Sequence, residues 1–143
     1  MANKYGNKKV EVDGIKFDSK HEAEYYLHLK KLKEEGKIKD FGLQQKFELQ
    51  PSFKKYGKTH RAITYTVDFA IYHNNGEVEY IDVKGVETQQ SKIRRKLFDY
   101  KYPDQKLLWI QRNYKHADNE DGWIELDELN KKRRVSKRVK ESK

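Results

Sequence analysis

The chain has 143 residues, enough for one domain with a sizeable core, and its 13% aromatic content argues against global disorder. It has no cysteine, which excludes disulfides, thiolate zinc sites and cysteine nucleophiles and fits an intracellular setting. No apolar run approaches a membrane span, the first residues lack a secretory pattern, and 32 Lys and Arg against 23 acids leave a net charge of +9. Such a surface favours a polyanion, nucleic acid before an anionic membrane, because no basic amphipathic helix with a clean apolar face stands out.

Met1 to Lys9 is polar and aperiodic, a flexible start. Val10–Val12, Asp13-Gly14 and Ile15–Phe17 read as a small hairpin around an Asp-Gly turn. Asp18-Ser19 opens a helix to about Glu35, with Gly36 as its stop and Tyr25, Tyr26, Leu29 and Leu32 as its apolar stripe. A strand is expected around Lys46 to Leu49, then a basic loop from Pro51 to His60. Thr64–Tyr72 and Glu77–Lys84 are the clearest strands, joined by the turn residues Asn74, Asn75 and Gly76. Thr88–Tyr100 reads as a helix with Ile93, Leu97 and Phe98 inward; Lys106–Gln111 reads as a buried strand and Trp123–Leu129 as a short last element. Residues 1–130 form one domain in this reading, and 131–143, with 8 Lys or Arg among 13 residues, form a flexible basic tail adding salt-sensitive affinity.

The chemistry centres on Val67-Asp68-Phe69 and Ile81-Asp82-Val83-Lys84. Alternation along a strand puts Asp82 and Lys84 on one face. A three-residue loop of Asn74, Asn75 and Gly76 pairs His73 with Glu77, and counting back sets Asp68 opposite Asp82. Two facing carboxylates repel unless something compensates, and a divalent cation is the simplest compensation. Mg²⁺ takes oxygen ligands, polarises a phosphoryl oxygen and lowers the pKa of bound water. Lys84 could orient that water or meet the developing charge. The bland alternative is a pair of solvated charges on an edge hairpin.

Glu22 continues the apolar stripe of the first helix towards the sheet, so it could reach a metal there. It also sits three residues after Ser19, the spacing of a capping box, and pattern alone weighs the two readings evenly. Glu24 is a second candidate off the stripe, and Gln44 or Gln45 could support the site from the first sheet strand. Lys92, Arg94, Arg95 and Lys96 could contact phosphates, as could Lys54, Lys55, Lys58, His60 and Arg61; solvated charge runs are the alternative. The five histidines show no zinc-ligand spacing.

With Asp68 followed by Asp82-Val-Lys84, the chain resembles the PD-(D/E)XK nuclease superfamily. Thr64-Tyr-Thr-Val-Asp68-Phe and Asp82-Val-Lys84-Gly85 are similar to phage endonuclease I-type Holliday-junction resolvases. Ser19-x-x-Glu22, Gln44, Phe47, Asp68 and Asp82-x-Lys84 are similar to a small phage-encoded family of the same superfamily. The resemblance covers roughly residues 12 to 111 and raises Glu22 from cap to metal ligand. One departure stands: Val67 and Asp82 occupy positions where those resolvases usually carry Pro and Glu, which weakens the resolvase assignment more than the nuclease one.

The resemblance implies a restriction-endonuclease-like α/β fold, a central mixed sheet flanked by helices. It implies a Mg²⁺-dependent DNA endonuclease, with Mn²⁺ able to substitute, acting on branched or double-stranded DNA in phage recombination or replication, in the host bacterial cytoplasm. Catalysis then falls to Glu22, Asp68, Asp82 and Lys84, and metal binding to the three carboxylates with the Val83 backbone carbonyl. Cutting two strands symmetrically needs two sites, which a homodimer would supply. The alternatives are a non-catalytic DNA-binding module and a nuclease subunit active only with a partner, such as a transposase or a packaging complex.

Overall fold

The computed structural model describes residues 9–141. In chain order the elements are β1 (Val10–Val12), β2 (Ile15–Phe17), α1 (Lys20–Glu34), β3 (Asp40–Gln50), β4 (Phe53–Lys55), β5 (Lys58–His60), β6 (Ile63–Tyr72), β7 (Val78–Val83), α2 (Gln89–Lys101), β8 (Lys106–Arg112), β9 (Trp123–Glu125) and α3 (Leu126–Glu141). Five strands form one sheet in the order β3-β6-β7-β8-β9. Only β7 and β8 pair in parallel, and α2 is the crossover that a parallel pair requires. The chain is therefore mixed α/β, a mixed sheet flanked by helices, as expected. Among the described residues no helix is long and apolar enough to cross a membrane.

The local signals explain most of these boundaries. Asp13 (φ 53°) and Gly14 (φ 76°) make the β1–β2 turn. Ser19 caps α1, its hydroxyl accepting from the Glu22 N–H, and Gly36 (φ 72°) lets the chain leave the helix. The stripe of α1 buries Ala23, Tyr25, Tyr26 and Leu29 against Phe69, Ile71, Ile81 and Ile110. On the opposite face, Phe98 of α2 closes a second core with Phe47, Leu49, Tyr65, Val67, Ala70, Tyr80 and Leu107. Trp109 makes a third with Ile124, Leu126 and Leu129, and so anchors α3.

Regular alternation would put Tyr65, Val67, Phe69 and Ile71 on one face of β6. Instead Tyr65 and Val67 join the α2-side core, while Phe69 and Ile71 join the α1-side core. The partner strand changes sides at the same level: Phe41 and Leu43 pack with α1, Phe47 and Leu49 with α2. Between them stands Gln44, at φ 53° in the left-handed region, facing Asp68 across a ladder that runs Leu43↔Phe69 and Gln45↔Val67. The change of sides occurs without a shift in pairing register, keeps both cores filled and marks the Gln44–Asp68 level as irregular.

Four expectations need correction. The first long strand covers Asp40–Gln50, well beyond Lys46–Leu49. The basic loop after Pro51 contains a hairpin, β4–β5, turning through Tyr56 and Gly57. On α2, Ile93 and Leu97 are exposed; Phe98 points inward, with Arg95 half-buried beside it. The segment read as a flexible tail from Lys131 continues α3 as helix to Glu141. The start read as flexible lies, but for its last residue, outside the described residues.

Candidate active site

The β6–β7 turn closes as the residue count requires. His73 N–H donates to the Glu77 carbonyl at 2.9 Å, and Gly76, at φ 89°, donates its N–H to the His73 carbonyl at 3.0 Å. The ladder then runs from Tyr72↔Val78 to Phe69↔Ile81, so the next rung sets Asp68 opposite Asp82. There the backbone pairing stops and the side chains take over. Asp68 N–H donates to Asp82 Oδ1 at 2.8 Å, and Val83 N–H donates to Asp68 Oδ2 at 3.0 Å. Each carboxylate occupies a backbone donor that a strand carbonyl would otherwise satisfy, and the two strands part around them.

Both aspartates are held where ionisation is costly. Burial pushes the Asp68 carboxyl up, and the nearby Asp82 and Glu22 charges add to it; the Val83 N–H and the Gln44 side chain, both donors, oppose. Burial also raises Asp82, against the bonds from Tyr65 and Asp68 N–H and the charges of Lys84 and Arg95. Glu22, only 9% exposed, is pushed up to about 7, first by burial and then by the charges of Asp18 and Asp82. The Asp18 backbone N–H opposes this rise, while Ser19 serves as the N-cap. Glu22 thus belongs electrostatically to the aspartate pair while remaining next to the helix start.

Two residues missed in the sequence brace Asp82. The Tyr65 hydroxyl donates to Asp82 Oδ2, and Trp109 Nε1–H donates to the Tyr65 oxygen at 2.8 Å. Lys84 Nζ lies 4.7 Å from the Trp109 ring centroid and the Arg95 guanidinium 4.9 Å from it, so two cations flank the same indole. Lys84, Asp82, Tyr65 and Arg94 line an open cleft of about 250 Å³ at the N-terminus of α2. Tyr65 escaped notice because it lies three residues before Asp68, an odd spacing that strict alternation assigns to the other face. The side change near Gln44 and Asp68 brings it to Asp82.

The remaining candidates separate clearly. Gln44, not Gln45, acts on the Asp68 carboxyl, favouring its charged form. Glu24 is drawn away, paired with Arg112 at 2.6 Å, so its supporting role is withdrawn. Arg95 is withdrawn from the solvated phosphate-contact face: it donates to the Leu107 carbonyl at 2.9 Å. Lys92, Arg94 and Lys96 are exposed on α2. Lys58 and His60 lie on the β4–β5 hairpin, with Arg61 just after it.

Among the described residues no three His, Asp or Glu side chains form a ready metal cage. The donor chemistry nevertheless fits a hard divalent cation. The site offers carboxylates only, they crowd one another's charge, and the bonds made to Asp68 and Asp82 use some of roughly four lone-pair positions on each.

Tyr65→Phe should expose the worth of the brace. It removes a donor to Asp82 and leaves the buried Trp109 N–H without an acceptor, a cost of about 1–3 kcal/mol. The expected result is a lower melting temperature with the fold retained, read by circular dichroism.

Residues 2–118 match the family model described as Protein of unknown function (DUF1064), and the chain belongs to that family. No curated protein and no solved structure matches it.

Proposed function

We propose that this member of the DUF1064 family is a metal-dependent DNA endonuclease. The observation that carries the reading is the parting of β6 and β7 around Asp68 and Asp82, with the Glu22 charge acting on Asp68 and Lys84 beside Asp82. A sheet that merely needed to fold would not place a buried and a half-buried carboxylate opposite each other. Glu22, Asp68, Asp82 and the Val83 carbonyl would hold Mg²⁺, with Mn²⁺ as a substitute. A cation there would supply Lewis-acid polarisation of the scissile phosphate and a more acidic water.

The chain's own groups do the positioning. Tyr65, fixed by Trp109, donates to Asp82 and favours its ionised form. Lys84 offers its ammonium to the attacking water or to the charge that grows on the phosphoryl oxygens. Arg94, on the cleft wall, and the exposed Lys92 and Lys96 would bind the phosphates on either side, contacts that position without reading sequence. The resemblance to Holliday-junction resolvases favours branched DNA, and two-strand cutting would call for a homodimer. A binding module that never cleaves would need the basic surface but not the buried carboxylates.

The test is incubation of pure protein with branched and linear DNA, with and without Mg²⁺. The expected outcome is Mg²⁺-dependent cleavage that Asp82→Ala abolishes. No metal-dependent cleavage of either DNA, or cleavage by Asp82→Ala at the unaltered rate, would sink the enzyme reading.

A further inference from the structure

The β4–β5 hairpin is built unlike the rest of the chain. Residues 51–59 are all exposed. Its register, Lys55↔Lys58 next to the turn, leaves Tyr56 and Gly57 as a two-residue loop, at φ 51° and φ 74°. Such a turn needs left-handed backbone at both positions, and Asn, Asp or Gly ordinarily fills the first. Tyrosine there is strained, and its ring gains no burial in exchange: Tyr56 is 96% exposed. Strain without a packing return points to function.

The neighbours of Tyr56 share one chemistry. Lys55 and Lys58 stand directly opposite each other, a like-charge pair that destabilises a bare hairpin and suits a polyanion. Lys55 Nζ lies 5.7 Å from the Tyr56 ring centroid. Behind them Phe53, 43% exposed, stacks on His60 with centroids 4.6 Å apart. From tip to base the face reads aromatic, cation pair, aromatic pair.

The hairpin also stands at the right end of the sheet. It joins β3 to β6, and β6 begins at Ile63, five positions before Asp68. Because β6 runs antiparallel to β7, Ile63 lies beyond the end of β7 from which Lys84 emerges. Five positions of strand cover roughly 16 Å, about five stacked base steps.

We propose that Tyr56 is a stacking residue for an unpaired DNA base, with Lys55 and Lys58 holding the flanking phosphates. Aromatic faces stack on any base, and lysines grip backbone without regard to sequence. The preferred substrate would then be DNA carrying an unpaired base near a strand junction. This deepens the endonuclease reading and rests on DNA being the substrate.

The experiment uses the full chain in EDTA, where no metal-dependent cutting interferes. It measures binding to two probes: a fork with unpaired 2-aminopurine at the branch, and a duplex with the same base paired. The expected result is about tenfold tighter binding to the fork, with quenching of the unpaired base. Tyr56→Asn relieves the turn, so its melting temperature should hold or rise. Its fork affinity should nonetheless fall to within about twofold of the duplex, with quenching lost, while Tyr56→Trp retains both. Equal binding of fork and duplex by the natural chain, or an unchanged margin in Tyr56→Asn, would overturn the proposal. Cleavage is scored separately: Mg²⁺-dependent cutting with an inert Tyr56 defeats only this inference, and Tyr56-dependent fork binding without any cutting defeats only the nuclease.

Discussion

Asp68→Asn is expected to make the protein more stable and enzymatically dead. In the metal-free protein at pH 9, above the raised Asp68 value of about 8, the change removes one of two facing charges. The asparagine oxygen can still accept from Val83 N–H, and its amide can meet a Gln44 side chain turned to present its oxygen. Relief of like-charge repulsion at a partly buried site is worth about 1–2 kcal/mol, or roughly 5 °C in melting temperature. Cleavage should fall by about 10³-fold or more if Asp68 holds the proposed cation, because losing such a ligand would forfeit several kcal/mol of transition-state stabilisation and each 1.36 kcal/mol is tenfold. Thermal denaturation and single-turnover cleavage read the two halves. A variant that is less stable and still active would mean the pair is ordinary structure. Asp82→Asn is a poorer probe, since asparagine cannot accept from Tyr65 and Asp68 N–H through both of its side-chain atoms.

Metal-free protein should lose stability as pH rises from 5 to 8, and Mg²⁺ should restore it. Glu22 has its folded value pushed up to about 7 from an ordinary 4.5. The folded state therefore holds a proton that the unfolded state has released between those values. The resulting stability is present below pH 4.5 and is lost as pH climbs through 7. Asp68 and Asp82 shift in the same direction. Asp13, Asp40 and Glu79 shift downwards, and their stability changes at more acidic pH, outside this window. His28, lowered by burial, opposes the trend near its own titration, so the comparison is made against Glu22→Gln, which shares His28. The melting temperature of Glu22→Gln should vary less over this range and lie above the natural chain at pH 8. Mg²⁺ at ten times its dissociation constant should add about 1.4 kcal/mol at pH 8, roughly 3–5 °C, and much less at pH 5, where the carboxyls hold protons. Melting curves across pH and Mg²⁺ concentration check both; a Mg²⁺ effect equal at pH 5 and 8 would separate the cation from these carboxylates.

The facing pair was legible because a turn is a ruler. Asn74, Asn75 and Gly76 set the loop length, the loop length set the register, and the register carried five residues down to Asp68 and Asp82. The caps of α1 and the Asp13-Gly14 turn were legible for the same reason: their backbone needs are met by few residue types. The brace on Asp82 was not. It depends on Gln44 adopting a left-handed backbone, which glutamine does not advertise, and on a change of sides that local alternation cannot foresee. Burial of Arg95 in place of Ile93 depends on Leu107 and Trp109, both more than ten residues away in sequence. Tyr56 hid the β4–β5 turn by being the wrong residue for it. The helix after Lys131 is rich in Lys and Arg, good helix formers, and starts from Leu126 and Leu129 packed under Trp109; its charge density suggested a tail only when that anchor was out of view.

The central claim is that Glu22, Asp68 and Asp82 together hold a divalent cation. A crystal of the full chain grown with Mn²⁺ tests it most directly, through anomalous density. The account expects one peak between Asp68 and Asp82, within about 2.0–2.6 Å of an oxygen from each and with Glu22 bound directly or through water. Density elsewhere only, with Asp68 and Asp82 still bonded to the Val83 and Asp68 N–H groups and no ion between them, would contradict it.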